Sequence, residues 1–365
     1  MLNNQSSLTP FAVRMIMALL LVICLVLPQI TSASNIPPKQ VDYPQGVSAM
    51  NPGGELWREI RQRDGLVTDG VSQVKGVETG ILINAQGDRW ARFRITELTR
   101  YSSIALVAVF GLIILFYVLR GKVGIEGGLS GRMVRRFTDY ERIVHWTLAI
   151  VFLFLAITGL ILLLGRPLLM PVFGKEVFSL MASASKEGHN LFGPLFLVSL
   201  LLMLFSFARR NIYEKGDLTW LLKGGGFIGD GHVPGGFFNM GEKSWYWMVI
   251  LIGLIIAASG LILVSPNFGQ GRIIMELSHV IHVISALILV VVSIGHMYMG
   301  SIGTEGSLEG MTTGYVDINW ADAHHDRWGK ECHDKGLIIS AEEYARLQGQ
   351  KAGKRSAVAT AEQSK

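Results

Sequence analysis

Two histidines in the last third of the chain stand in an apolar segment without charge, HVISALILVVVSIGHMYM, residues 282–299. His282 and His296 are fourteen residues apart, and fourteen residues of α-helix turn through about 1400°, roughly 40° short of four full turns. The two imidazoles therefore share one helix face, with an axial separation of about 21 Å. The hydrocarbon core of a bilayer is about 30 Å thick, so this spacing suits two metal-bearing cofactors, one near each side of a membrane.

The composition is that of an integral membrane protein. Half of the 365 residues are hydrophobic and 17% are charged, an apolar excess typical of membrane proteins. The net charge of +5 does not predict a nucleic-acid partner, because the basic residues cluster at the ends of apolar segments, as membrane topology requires. The two cysteines, Cys24 and Cys332, and the lack of a CxxCH motif exclude covalent c-type haem and cysteine-bound zinc or iron–sulfur centres. A metal centre must therefore depend mainly on histidine.

The first hundred residues predict an exported amino-terminal segment. Arg14 precedes a short apolar run, Met15–Leu27, and small residues after it offer a cleavage site. We therefore expect a signal peptide over 1–33, with an uncleaved anchor helix as the alternative. Residues 34–100 would then be periplasmic. They contain GILINAQGDRWARFRI, which predicts a β-hairpin with its turn at Gln86–Asp88.

Five apolar stretches are long enough to cross a bilayer as helices. Their predicted ranges are Tyr101–Leu119, Ile143–Leu164, His189–Ala208, Ser244–Val264 and Leu277–Met299. The fold class is therefore an all-α membrane protein. We expect a transmembrane bundle of four core helices within 120–301, preceded by one extra helix over 101–119 and followed by a polar cytoplasmic tail over 302–365.

The distribution of lysine and arginine sets the expected orientation. The loops 120–142 and 209–243 carry six and five of these residues, whereas the loops 165–188 and 265–276 carry three and one. The positive-inside rule places the first two loops in the cytoplasm. We therefore expect a multi-pass protein of the bacterial inner membrane, with a periplasmic mature amino terminus and a cytoplasmic carboxyl terminus.

Depth in the membrane pairs four of the nine histidines. His145 and His296 are expected near the cytoplasmic side, and His189 and His282 near the periplasmic side. Each pair could give one haem iron two axial imidazoles, although a histidine at a helix end can also be simply interfacial. His279 lies about 100° off the face of His296, which favours a place beside the site rather than in it. The histidines of the polar segments are expected in solvent: His232, His324, His325 and His333.

Asn239 and Glu242 precede the fourth predicted helix, and two interpretations are open. Asn239 can cap that helix, with Glu242 at the third helical position as in a capping box. The same residues can line a polar pocket for a quinone, whose carbonyl needs a hydrogen-bond donor and a route for protons from the cytoplasm. The residue types favour the cap, and both roles can hold together.

Several motifs together carry a family resemblance. They are ERIVHWT around His145, EGHNLFGP around His189, LTWLLKGGG, NMGEK, HVISALILVVVSIGHMYM, and GSLEGM followed by HHDRW. From about Gly121 to Trp328 the chain resembles the gamma subunit, a di-haem cytochrome b, of membrane-bound formate dehydrogenases, in its longer form with an amino-terminal extension.

The resemblance implies two haem b groups and a quinone as the substrate. It implies that His145 and His296 hold the cytoplasmic-side haem iron, and that His189 and His282 hold the periplasmic-side one. It further implies a menaquinone or ubiquinone site that involves Asn239, Gly241 and His296. Glu242 departs from the glutamine that the resemblance leads us to expect.

The resemblance also implies two protein partners. Formate would be oxidised in an alpha subunit with molybdenum or tungsten, and an iron–sulfur beta subunit would pass electrons to this chain, which has no catalytic residue for formate. One alternative is the cytochrome b subunit of a hydrogenase or of a thiosulfate or polysulfide reductase. Another is a haem-free membrane transporter or anchor, although a transporter more often has broken helices with polar residues at the midplane.

Overall fold

The computed structural model describes residues 85–125, 127–223, 225, 235–265 and 269–350. The predicted signal peptide and most of the predicted periplasmic segment lie outside the described residues. The chain divides into two compact units, residues 1–104 and 105–365.

The hairpin turn predicted at Gln86–Asp88 is wrong, because these residues are helical. Helix α1, Ala85–Arg92, continues through a π-helical stretch, Phe93–Leu98, into helix α2, Thr99–Arg120. A glycine among good helix formers costs a helix only about 1 kcal/mol, so Gly87 alone does not enforce a turn. The first membrane helix is correspondingly longer than predicted.

Within the described residues, five helices are long and apolar enough to cross a membrane, and they make this a multi-pass membrane protein. After α2 they are α3, Asp139–Leu168, α4, Met170–Phe207, α6, Met240–Val264, and α7, Arg272–Tyr298. A short helix, α5, Asp217–Leu222, lies between α4 and α6. Even α6, with 25 residues, is about 37 Å long and exceeds the hydrocarbon core of a bilayer.

Capping boxes begin two of the long helices. At α3 the Thr138 hydroxyl accepts a hydrogen bond from the Glu141 N–H (3.2 Å), while the Glu141 carboxylate accepts one from the Thr138 N–H (2.8 Å). At α6 the corresponding distances between Asn239 and Glu242 are 3.0 and 3.1 Å. Each box gives partners to two N–H groups at the helix start. The cap predicted at Asn239 is therefore confirmed.

The third membrane helix begins earlier than predicted. We predicted His189–Ala208, whereas α4 starts at Met170, with a kink at Gly174, where φ is +80°. Its first half contains Ser, Lys and Glu, which lower hydropathy but are acceptable in a helix. The hydropathy criterion therefore placed the helix start too late, and the predicted loop 165–188 is helical along most of its length.

The four long helices that follow α2 pack as two antiparallel pairs. Helix α3 lies along α4, α6 lies along α7, and α4 packs against α6. The core of buried side chains between α3, α4 and α6 includes Val144, Leu148, Val151, Phe196, Leu200, Phe207, Tyr246, Ile250 and Ala257. We call the end of the bundle where α3 and α6 begin and α7 ends the tail end, and the opposite end the far end.

The polar tail folds at the tail end around a small sheet. Its central strand, β1 (Met133–Arg135), comes from the loop before α3 and pairs antiparallel with β2 (Tyr315–Asp317) and β3 (Ile338–Ile339). Three short helices complete it: α8, Ser307–Thr312, α9, Ile318–His324, and α10, Asp326–Asp334. We call β1 with residues 304–350 the tail domain. The core around the sheet consists of Ile125, from the loop before β1, and of Val134, Val316, Ile318, Trp320, Ala321, Trp328 and Cys332.

Candidate functional site: two histidine pairs

The first histidine pair lies at the tail end of the bundle. His145 is in the second turn of α3, His296 is in the last turn of α7, and their ring centroids are 6.3 Å apart. Trp245 of α6 stacks on His296, with 4.9 Å between centroids and 19° between ring planes. The two imidazoles thus face each other between helices, as the depth argument predicted.

The second pair lies towards the far end. His189 of α4 and His282 of α7 have ring centroids 6.1 Å apart. The Thr158 hydroxyl is 2.9 Å from Nδ1 of His189. Nδ1 of His282 is 3.2 Å from the Ser259 hydroxyl and 3.0 Å from the Ile256 carbonyl oxygen. Hydrogen bonds therefore engage Nδ1 of both rings and leave Nε2 available as the ligand atom.

Both separations fit a metal ion held between two imidazoles. A metal–imidazole bond is about 2 Å long, and a ring centroid lies about 1.1 Å behind the bonded nitrogen, so linear coordination separates the centroids by about 6.2 Å. The measured values, 6.3 and 6.1 Å, match this distance. Neither pair makes a close ring contact with the other, because fourteen residues of α7 separate His282 from His296.

Asn239 and Gly241 lie at the start of α6, next to the tail-end pair. The Asn239 side-chain oxygen is used in the cap, whereas its amide nitrogen makes no hydrogen bond within the described residues. A methyl group at Gly241 would lie 2.6 Å from the Trp220 ring, so Trp220 closes directly over this glycine. Trp245 follows Gly241 by four residues on the same face of α6, which puts the stacking partner of His296 one turn away.

A buried charged cluster that the sequence analysis did not foresee lies beside Asn239. The Arg136 guanidinium donates to both carboxylate oxygens of Glu242 at 3.0 and 3.1 Å and lies 3.2 Å from Nε2 of His325. Five aromatic rings surround this guanidinium within 6 Å: Phe137, Phe237, Phe238, Trp320 and Trp328. The cluster ties the tail domain to the start of α6.

His325 was predicted in solvent, and this prediction is wrong, since 1% of the residue is exposed. Its Nδ1 donates to the Gly236 carbonyl (2.9 Å), and its Nε2 faces the Arg136 donor. Burial lowers the pKa of His325 to about 4, although the Glu242 carboxylate opposes this shift. The imidazole is therefore neutral near pH 7. His333 is half-exposed, as expected, and His232 lies outside the described residues.

Comparison with known proteins agrees with this architecture. Residues 136–314 match the family described as prokaryotic cytochrome b561. The chain is 30% identical over 208 residues to the cytochrome b556 subunit of the nitrate-inducible formate dehydrogenase of Escherichia coli strain K12, covering 55% of this chain and 93% of that protein. A cytochrome b556 subunit of formate dehydrogenase from Haemophilus influenzae is 27% identical over 217 residues, with 57% and 86% covered.

The bundle of apolar helices, with histidines facing each other between them, defines a membrane-bound cytochrome b. Within that class, the chain belongs to the family of cytochrome b556 subunits of formate dehydrogenases. The family implies haem b as the prosthetic group, and the two imidazole pairs fit its iron. The resemblance drawn from the motifs is thus confirmed.

Proposed function

We propose that this chain is the membrane-anchoring subunit of a formate dehydrogenase complex and holds two haem b groups, one at each histidine pair. It would carry electrons from an iron–sulfur beta subunit to a quinone. The observation that carries this proposal is the presence of two imidazole pairs with metal-compatible separations, 6.3 and 6.1 Å, at different depths of one bundle. When bound, haem b supplies reversible one-electron chemistry at its iron.

The chain's own residues would place these two centres on opposite sides of the membrane. His282 and His296 belong to one continuous helix, α7, and stand about 21 Å apart along its axis. An electron that moves between sites at such depths crosses most of the bilayer, which is worth about 2.3 kcal/mol per 100 mV of membrane potential. Electron transfer between the two sites would thereby move charge across the membrane.

The proposed orientation puts the tail end in the cytoplasm of a bacterial cell and the far end in the periplasm. Its support is the excess of lysine and arginine in the loops before α3 and before α6, which the positive-inside rule places inside. The beta subunit would dock at the periplasmic far end, next to His189 and His282. The alpha subunit, with its molybdenum or tungsten centre, would oxidise formate there.

The quinone would bind at the tail end, at a site that involves Asn239, Gly241 and His296. The Asn239 amide nitrogen can donate a hydrogen bond to a quinone carbonyl while its oxygen caps α6. Trp220 over Gly241 and Trp245 over His296 offer flat apolar walls, which suit an aromatic ring. Glu242 would not contribute as a donor, because its carboxylate is already paired with Arg136.

A haem count tests the proposal most directly. Pyridine haemochrome and iron analysis of the purified native complex should give two b haems per chain, together with alpha and beta subunits that copurify. One haem per chain would remove a histidine pair from the proposal. A haem-free preparation that is folded and membrane-bound would contradict the proposed function altogether.

A further inference from the structure

We propose that Thr158 and Ser259 are positioning residues for the far-end pair, each of which holds one imidazole in the tautomer that presents Nε2 to the iron. This inference rests on the proposed function, since it concerns the haem between His189 and His282. It adds two side chains, neither of which touches the haem iron, to the residues that set the properties of this site.

The hydrogen-bond chain decides which atom carries the proton. The Thr158 hydroxyl donates to the Phe154 carbonyl at 2.8 Å, and the Ser259 hydroxyl donates to the Ile255 carbonyl at 2.7 Å. A hydroxyl has one proton to donate, so each oxygen can only accept from the imidazole beside it. Nδ1 of His189 and of His282 must therefore carry the hydrogen.

Burial protects these hydrogen bonds from competition by water. Thr158 is 6% exposed and Ser259 is 4% exposed, so water does not compete for either hydroxyl. For His282 the tautomer is fixed twice, because the Ile256 carbonyl oxygen at 3.0 Å from Nδ1 can only accept. In both rings the unprotonated nitrogen is then Nε2, which is the atom that a metal ion needs.

The two hydroxyls occupy equivalent positions in a short internal repeat. The segment AITGLIL at 156–162 returns as AASGLIL at 257–263, with five of seven residues identical. The spacing of 101 residues also relates the two capping boxes, Thr138 to Asn239 and Glu141 to Glu242. Helices α3 and α6 thus share the cap and the hydroxyl at equivalent positions, and each hydroxyl acts on the histidine of the long helix that follows.

The glycine that follows Thr158 and the one that follows Ser259 allow the same close approach of an imidazole. A methyl group at Gly159 would lie 3.3 Å from Cε1 of His189, and one at Gly260 would lie 3.1 Å from Cε1 of His282. These are tighter than ordinary van der Waals contacts between carbon atoms. The hydrogen of glycine lets each imidazole come close enough to reach the hydroxyl, so the far-end site consists of two similar halves.

The tail-end pair lacks this support and serves as an internal reference. Within the described part of the chain, Nδ1 of His145 is buried without a hydrogen-bond partner, and His296 is held by stacking on Trp245. At the position equivalent to His145 the second copy has Tyr246, whose hydroxyl donates to the Leu204 carbonyl instead. The hydroxyl effect is therefore specific to one pair.

The test replaces each hydroxyl and follows the two haems separately. An imidazole whose Nδ1–H is hydrogen-bonded is a more basic ligand. Thr158→Val should therefore shift the midpoint potential of the far-end haem to more positive values, and Ser259→Ala should shift it in the same direction by less, because the Ile256 carbonyl still accepts from Nδ1 of His282. They should also weaken haem retention, by about 10- to 100-fold as for other groups that orient metal ligands, while the potential of the tail-end haem stays unchanged.

Conservative replacements and a matched serine complete the design. Thr158→Ser and Ser259→Thr keep the hydroxyl and should retain the wild-type potential. Ser199→Ala removes a buried hydroxyl of α4 that also donates to the carbonyl four residues earlier but has no hydrogen bond to a histidine of the described residues, so both potentials should stay unchanged. His282→Ala assigns the signal of the far-end haem.

Unchanged potential and retention in both Thr158→Val and Ser259→Ala would overturn the inference. An equal effect on both haems, or the loss of both, would overturn it too, because a positioning hydroxyl acts on one pair. These outcomes presuppose two haems in the wild-type chain, so they leave the proposed function intact. A wild-type chain without a far-end haem would instead contradict the proposed function itself.

Discussion

The surroundings of each imidazole distinguish the histidines of this chain. His282 faces His189 across 6.1 Å and is hydrogen-bonded through Nδ1. His279 precedes it by three residues and so points about 60° away around α7. Less than one helical turn therefore separates His282, a proposed iron ligand, from His279. Single substitutions can show which of the two binds the iron.

Replacement of one ligand at a time should separate the two haems. His282→Ala is expected to remove the far-end haem and to leave the tail-end haem reducible by quinol. His296→Ala should leave a far-end haem that formate still reduces, with electrons stopped there. Redox titration of membranes, followed by reduction with formate and with quinol separately, measures both outcomes.

His279→Ala is the control for these variants and should retain both haems. If it abolished the far-end haem while His282→Ala kept it, the ligand assignment would be wrong by one turn. If any single variant lost both haems in a folded protein, the model of two independent sites would fail.

Asn239 offers a second residue-scale prediction because its two functions use different atoms. Asn239→Ala removes the cap oxygen and the free amide donor, so it should cost about 1 kcal/mol of stability and also slow quinone reduction and weaken inhibitor binding. Thr138→Ala removes the equivalent cap of α3 and should cost similar stability without the quinone effect. Equal quinone kinetics in the two variants would leave Asn239 with the capping role alone. Thermal unfolding and quinone-dependent turnover are the two measurements.

At the scale of elements, close approach of helices depends on a few glycines. Gly253 of α6 faces α4, and a methyl group there would lie 2.9 Å from a Cδ atom of Leu200 and 3.5 Å from the Phe196 ring. Leu200 has no exposed surface, so it has little room to move aside. The contact between α4 and α6 therefore requires a residue without a side chain.

Gly253→Ala should destabilise the bundle by about 1–3 kcal/mol, as expected for an overpacked core. Thermal unfolding of the purified protein in detergent would show a lower midpoint. Gly111→Ala is the matched control, because no side chain of the described residues beyond the adjacent ones lies within 4 Å of a methyl group at that position of α2, and alanine is the better helix former by about 1 kcal/mol. A midpoint for Gly253→Ala equal to that of Gly111→Ala would show that α4 and α6 are packed less closely than described.

At the scale of the molecule, the tail domain joins distant parts of the chain around the proposed quinone site. Strand β1 pairs with β2 through Val134 and Val316, and Arg136 meets His325, which is 189 residues later. The neutral state of His325 is part of this arrangement, because a proton on Nε2 would face the Arg136 donor. The fold of the tail domain is thereby coupled to pH.

The sign of the pH effect follows from the lowered pKa of His325. In the unfolded chain His325 takes up a proton near pH 6.5, whereas in the folded tail domain its pKa is about 4. The contribution of His325 to the stability of the tail domain should therefore be constant above pH 6.5. It should fall as the pH drops from 6.5 to 4. His325→Asn keeps a side-chain donor without a titrating group and should flatten this dependence.

Cys332 reports on the opening of the tail domain, since it has no exposed surface and burial raises the pKa of its thiol to about 11. In a Cys24→Ser background, alkylation of Cys332 should be much slower than in the denatured chain at the same pH. The rate in the folded chain, divided by the rate in the denatured chain at the same pH, should rise towards pH 4 in the wild type. It should rise less in His325→Asn. A ratio independent of pH would contradict the role given to His325.

The sequence by itself determined the features that depend on consecutive residues. Hydropathy located the five membrane helices, the helical repeat put His282 and His296 on one face, and the Asn-x-x-Glu pattern predicted the cap of α6. Depth in the bilayer then paired His145 with His296 and His189 with His282, because a helix that crosses a membrane converts position in the chain into height. The tertiary structure brings both of these predicted pairs together.

Only the tertiary structure decided which groups from other helices meet those histidines. The hydroxyls of Thr158 and Ser259 resemble any other polar group in an apolar helix until α4 and α7 bring Nδ1 atoms to them. His325 stands in a charged stretch that suggests solvent, and it is buried because Arg136 and a strand pairing from the other end of the chain enclose it. These contacts join residues 31, 23 and 189 positions apart on different elements, and the residue types around each position do not reveal its partner.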